Sequence, residues 1–528
     1  MIKAIRGTRD LLPPDTALWN FVEATVRDLM RTYNFHEIRT PVFEATELFA
    51  RSVGEETDIV SKEMYTWLDG SINEIGLMTA WVENHGIRDL NALPIARVGR
   101  PDLVVESEGS IIAVELAFRA DTNSLQKLEQ FSRISKDFRR PESPSLRLLI
   151  VHPSELRIEP WFRERAAAMG IELEGVDVDA PKSLTLRPEN TAGVVRAYIE
   201  HKLWDRGLSK LFYIGPQFRR ERPQKGRYRQ FYQIGAEVIG PPTAGSESPA
   251  RDAEVLEMLA TLLDRLGITG WTLQLNSVGC ANDRAAYNEA LRKALEPVAP
   301  QMCSDCQRRA VTNPLRVFDC KVPEDQPIIE KLPRISQYLD EPCRKHFEEV
   351  QGILRSVAVP FVLNDRLVRG LDYYSRTAFE FTHGALGAQN AILGGGRYDG
   401  LSESLGGPKA PGIGFAIGED RLVMSLNETA DAVQRKPDVY IAPLGAGMDR
   451  EAARLARELR RHDVIVELGD ENFRLKKSFE TAEKLGAKFA LIVGENEVKA
   501  DAFALKNLEN GEQVTVPRAE LAEKILGK

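Results

Sequence analysis

Six basic residues fall within the eleven positions from Arg219 to Arg229, and the stretches on either side, residues 211–218 and 230–240, read as strands. Planar guanidiniums meet phosphate oxygens two at a time, and Gly226 lets a hairpin turn tightly between such strands. In a chain with a formal net charge of -8, this local concentration points to phosphate or nucleic acid. A solvated basic loop is the other reading. Three further segments carry polar side chains at close spacing. They are Leu186-Arg187-Pro188-Glu189-Asn190-Thr191-Ala192-Gly193, then Arg366-Leu367-Val368-Arg369-Gly370-Leu371-Asp372-Tyr373-Tyr374, then Gly394-Gly395-Gly396-Arg397-Tyr398-Asp399-Gly400-Leu401 followed by residues 411–422. The triple glycine lacks the Lys-Ser/Thr of a P-loop, so it is read as letting backbone pack closely against a substrate.

Taken in order, these segments resemble the signature motifs of the histidyl-tRNA synthetases, a class II aminoacyl-tRNA synthetase family. The resemblance runs from Ala4 to the C-terminus, about four fifths of the chain, with one long interruption. It implies an α+β fold: a class II antiparallel-sheet catalytic domain over residues 1–69 and 182–425, an inserted domain over 70–181, and a C-terminal α/β anticodon-binding domain over 436–528. It also implies the reaction, ATP-dependent ligation of L-histidine to the histidine tRNA through histidyl-adenylate, with Mg2+ on the ATP phosphates.

That chemistry needs positive charge where pyrophosphate departs. By resemblance, Arg219 meets the α-phosphate, Arg421 the γ-phosphate side, and Arg369 lies between substrate carboxylate and α-phosphate; packing against Asp372 is the other role open to Arg369. The resemblance assigns Glu189, Thr191 and Gln233 to the histidine ammonium, and Glu237 and Tyr374, with Tyr373 beside them, to the imidazole. The residue types alone indicate a small polar amino acid. Asn190 stands where bacterial relatives often carry glycine, and asparagine tolerates positive φ better than most residues.

The elements that must position these groups are partly legible. Phe21, Ala24, Thr25 and Leu29 follow helical spacing, and residues 38–43 read as a strand with Pro41 at an edge or interface. By resemblance this segment builds a homodimer interface. Residues 284–360 read as helix and loop, which the resemblance makes a helical insertion near the tRNA acceptor arm. Strand-like runs at 439–442, 464–466 and 489–493 alternate with helical faces and argue a separate α/β module.

At 528 residues, a domain size of about 150 suggests three or four domains. With 43% hydrophobic and 28% charged residues, and no apolar span of about 20, the chain reads as soluble, without export signal or membrane helix. Five cysteines do not make a disulfide framework and point to reduced thiols in the cytoplasm. Cys303 and Cys306 have zinc-like spacing, which Cys320 and Cys343 could complete. Without a second close pair they are read as reduced thiols, and no metal site is expected.

Within 70–181 the pattern is a helix-like start at 72–83, strands at 103–105 and 111–116, a helix carrying Leu125, Leu128, Phe131 and Phe138, a strand at 146–151, a helix with Phe162, Ala166 and Met169, and a strand near Ile171. This order, with Asp102 and Glu115 at the metal-holding positions, resembles the PD-(D/E)xK endonuclease-like fold. Ala117 occupies the lysine position, so a tRNA-contacting or partner-binding appendage without nuclease activity is expected. Two alternatives remain at this point: a catalytically idle, regulatory synthetase relative, and a nucleic acid processing enzyme acting through the insert.

Overall fold

The structure, a computed structural model, describes residues 2–54, 57, 59–69, 103–107, 110–116, 125–130, 145–153, 158, 160–176, 182–224, 226–369, 371, 373–384, 390–426 and 433–527. The chain divides into two compact units. One comprises Met1–Arg9, Met30–Thr261 and Gly270–Met424; the other comprises Asp10–Leu29, Leu262–Thr269 and Ser425–Lys528.

The first unit is organised by an eight-stranded sheet in the order His36–Glu37, Ser209–Phe218, Gln230–Ile239, Gly412–Gly418, Ala391–Arg397, Ser375–His383, Trp271–Ser277, Val362–Leu363. The six central strands are antiparallel, and the short outer strands are parallel to their neighbours. Residues opposite one another across this sheet are far apart in sequence. Glu237, for example, pairs with Leu211 on one side and Gly414 on the other.

The strand expected over 38–43 is instead split into His36–Glu37 and Phe43–Ala45. Pro41 lies between them and has no N–H to give to a ladder. Phe43–Ala45 joins a three-stranded sheet with Lys182–Leu186 and Tyr65–Asp69, in which Asp69 pairs with Lys182. Residues 70–181 therefore leave and re-enter the chain at one hairpin tip, where a long insertion carries little closure cost.

Within that insertion, Leu103–Ser107 pairs antiparallel with Ser110–Leu116, and Ser145–Pro153 and Ile171–Val176 extend the sheet in parallel. Leu125 and Leu128 from a helix over 125–130, and Phe162 and Ala166 from Pro160–Ala168, pack with Ala113, Leu148 and Ile150. The helix expected over 72–83, Phe131, Phe138 and Asp102 lie outside the described residues.

The helix-rich stretch consists of Ala281–Leu295, Ser304–Thr312, Gln326–Ile329 and Glu341–Ser356 with intervening 3-10 turns, and the first three have their own core around Tyr287, Leu291, Val317 and Ile329.

In the second unit a five-stranded sheet runs Val466–Leu468, Val439–Leu444, Phe489–Gly494, Ala502–Asn507, Gln513–Pro517. The first three strands are parallel, as the alternating pattern requires, and the last two add an antiparallel hairpin turning at Gly511. Asp15–Thr32 is the N-terminal helix, with Trp19, Val22, Val26 and Leu29 buried. Ala24 is exposed, so the buried stripe is offset from the expected one and centred on the larger side chains. Among the described residues no helix is long and apolar enough to cross a membrane.

Candidate active site

Lys182–Leu186 delivers Glu189 to the start of the helix Thr191–Glu200. Its carboxylate accepts the N–H groups of Thr191 (2.7 Å) and Ala192 (3.0 Å), satisfying two of the donors a helix leaves open at its N-terminus. Asn190 has φ -119°, so no positive φ is demanded there, and its Oδ1 accepts the Thr40 hydroxyl at 2.6 Å. The amide is only half satisfied, since its Nδ2 is buried without a hydrogen-bond partner.

Thr191 Oγ1 donates to Glu237 Oε1 (2.7 Å). Glu237 is fully buried, because Gly414 on the neighbouring strand leaves room for its carboxylate: a Cβ there would stand 1.8 Å from Oε2. Burial lifts its pKa to about 8, with the nearby Glu189 adding to the shift and the Thr191 hydroxyl opposing it. Glu189 is raised in the same way by burial, partly offset by its two backbone donors and Arg219. Tyr213 and Tyr373, also buried near these acids, are pushed well above the ordinary phenol range and stay neutral.

Glu189, Thr191, Gln233, Tyr373 and Tyr374 line a cavity of about 210 Å3, together with Tyr213, Arg219 and Arg369. Gln233 Oε1 is buried without a hydrogen-bond partner, which leaves an acceptor open on a residue of the cavity wall. Glu237 is not among the lining residues. It stands behind Thr191 and acts on the cavity through that hydroxyl.

A second cavity of about 200 Å3 shares Arg219, Arg369, Gly394 and Ala416 with the first, and adds Arg227, Glu221, Glu380 and Arg421. Arg219 Nε donates to the Pro188 carbonyl (2.9 Å), and its guanidinium lies 5.3 Å from the Phe231 ring. Arg421 Nη1 donates to the Ala391 carbonyl (2.9 Å). Arg369 Nη1 donates to Glu380 Oε1 (2.7 Å), and the guanidinium stands 5.9 Å from the Tyr374 ring. Its described acidic partner is therefore Glu380 rather than Asp372, which lies outside the described residues.

The basic run divides its labour. Arg219 and Arg227 line the cavity, whereas Arg220 stacks towards Tyr65 (5.8 Å) and Arg229 Nη1 donates to the Arg6 carbonyl (3.3 Å). Tyr213, Glu221 and Glu380 were not identifiable beforehand. Tyr213 looks like one more strand aromatic, and the two acids become site residues only when the hairpin and the central sheet come together.

Behind the site, the fully buried Arg397 is paired with the fully buried Asp252, which also contacts His346 Nε2 (2.8 Å) and accepts the Thr377 hydroxyl (2.6 Å). In the insertion, Glu115 is buried and receives Lys127 Nζ at 2.6 Å. In the helical stretch, Cys303 and Cys306 are joined by Cys320 and Asp325, while Cys343 belongs to a separate group with Cys280, Asp283 and Asp340. Of the two cysteines that could complete the pair, Cys320 lies beside it and Cys343 does not; Asp325, from the turns that follow, is the fourth member.

An antiparallel sheet carrying an acid-and-hydroxyl cavity joined to an arginine-lined one defines a class II aminoacyl-tRNA synthetase. The sequence profile of histidyl-tRNA synthetases matches residues 164–422, and that of the anticodon binding domain matches 438–528. The chain is 57% identical to the histidine–tRNA ligase of Koribacter versatilis, over 99% of this chain and 95% of that one. It is 47% identical to that of Solibacter usitatus, over 99% of each. The apo crystal structure of the Staphylococcus aureus histidyl-tRNA synthetase superposes with a TM-score of 0.65 at 31% identity, covering 99% of this chain and 100% of that one. The chain belongs to the histidyl-tRNA synthetase family.

Proposed function

We infer that this protein activates L-histidine with ATP and passes it to the histidine tRNA. The observation that carries the reading is the position of Arg369, whose side chain lines both cavities at once. An amino acid in the acidic cavity with its carboxylate towards Arg369, and ATP in the other with its α-phosphate towards Arg219 and Arg369, stand in line for attack of carboxylate oxygen on phosphorus. Pyrophosphate leaves towards Arg227 and Arg421, and the acyl-adenylate is then opened by a ribose hydroxyl of the tRNA.

Fixed guanidiniums that meet charge as it develops on the phosphates lower the barrier without reorganising. Glu189, Thr191 and Gln233 hold the ammonium. Tyr373 and Tyr374 face the ring, with Glu237 setting the Thr191 hydroxyl. ATP enters as its magnesium salt, and Glu221 and Glu380, carboxylates on the wall of the ATP cavity, fit a divalent ion carried by the phosphates. The working form is a homodimer, supported by the family membership and the N-terminal segment that resembles class II motif 1. An idle regulatory relative would have no use for Arg219, Arg369 and Arg421 around one cavity.

ATP–pyrophosphate exchange with each of the twenty amino acids tests this. Histidine-dependent exchange is expected; exchange driven by another amino acid, or none, overturns it.

A further inference from the structure

We propose that Cys303, Cys306, Cys320 and Asp325 hold one zinc ion that fixes the wall of the helical stretch beside the catalytic cavities. One ligand atom from each of the four lies within 4.8 Å of every other. Zinc binds thiolate sulfur at about 2.3 Å in tetrahedral sites, which places two ligand sulfurs roughly 3.8 Å apart. Cys303 Sγ and Cys320 Sγ are 3.9 Å apart, and Asp325 Oδ2 is 3.2 Å from Cys320 Sγ.

The backbone is already arranged around thiolates. The Cys306 N–H points to Cys303 Sγ (3.5 Å) and the Val322 N–H to Cys320 Sγ (3.4 Å), donors that stabilise a metal-bound sulfur. Asp325 is 1% exposed, and its carboxylate accepts the Cys303 N–H (3.1 Å). Among the described residues it forms no ion pair, although a buried carboxylate needs compensating charge. A divalent ion supplies it, and the three thiols release their protons as it binds. Three sulfurs and one oxygen in a closed, four-coordinate set select zinc and leave no open position for catalysis.

The second group is a useful contrast. There the carboxylates are already used as helix caps: Asp283 accepts the N–H groups of Cys280 and Asp340 (2.9 Å each), and Asp340 accepts that of Cys343 (2.8 Å). That cluster is explained by joining two helices.

The zinc ligands bracket the turn Pro314–Asp319. Its Pro314, Leu315 and Arg316 line a cavity with Arg369 and Tyr374, while Cys320 lines another with Glu380 and Arg421. The ion is therefore a staple for the substrate wall.

Metal content of the full chain, purified without chelator, is the test, paired with cobalt titration of the stripped protein. About one zinc per chain is expected, falling about ten-fold or more in Cys303→Ser and Cys320→Ser and unchanged in Cys343→Ser. Because a serine variant could also misfold, stripped wild-type protein must take up about one equivalent of Co2+ with the thiolate charge-transfer and intense d–d bands of a tetrahedral site. Wild-type protein that neither carries zinc nor gives that spectrum overturns the proposal. So does full zinc retention in both Cys303→Ser and Cys320→Ser.

Discussion

Arg369 lies over Gly394: a Cβ added at that glycine would stand 2.7 Å from both terminal guanidinium nitrogens. The glycine is thus the floor on which the arginine shared by the two cavities rests. Gly394→Ala should push the guanidinium off its position while leaving the sheet intact. Displacements near 1 Å cost on the order of 10²-fold in rate, so histidine-dependent pyrophosphate exchange should fall by about that factor. A thermal midpoint within a few degrees of wild type should accompany it; unchanged exchange would show that the close approach has no catalytic meaning.

The buried acids make a pH prediction. Burial raises Glu237 from 4.5 to about 8, so the folded protein holds a proton the unfolded chain has released. The stability from this group is fully present below about 4.5 and is lost as pH rises through about 8. Glu237→Gln removes the titration, and the variant should gain on wild type by a few kcal/mol, order of magnitude, between pH 5 and pH 9. Glu189 titrates in both proteins, and its repulsion of Glu237 is part of the shift that the variant removes. Unfolding curves at a series of pH values decide the matter, and a difference that does not grow with pH would contradict the assignment.

Asp252 answers three side chains at once: Arg397, His346 and Thr377. Although burial alone would raise it, Arg397 and His346 hold its pKa below the usual carboxylate range. Removing one member of such a pair leaves an unanswered buried charge, so Asp252→Ala should lose about 3–5 kcal/mol of stability. Denaturant unfolding of the variant measures it, and a loss under about 1 kcal/mol would mean the network relaxes through water.

What the sequence disclosed follows from how local each feature is. Arg219, Glu189, Arg369 and Arg421 sit in short motifs that resemble those of the family, and it is that resemblance, carried by contiguous residues, that names them. The strands and helices expected among the described residues of 103–176 likewise show through, because strand and helix periods are local properties. Glu380 as the partner of Arg369, and Asp325 as the companion of three cysteines, depend on which strands and turns end up adjacent. Cys306 lies in the helix Ser304–Thr312 and Cys320 follows the turn Pro314–Asp319, so the sequence offers both Cys320 and Cys343 as completing thiols and only the fold chooses between them. The helix over 15–32 was visible while its buried face was not, since Phe21 and Trp19 compete as anchors and only packing chooses between them.

The central claim is that Arg369 serves the carboxylate and the α-phosphate together. Single-turnover formation of histidyl-adenylate at saturating histidine and ATP measures that step directly. Losing one preorganised donor to a transition-state charge costs roughly 3 kcal/mol, so Arg369→Ala should form adenylate at least about 10²-fold more slowly. An unchanged rate in that variant would contradict the account.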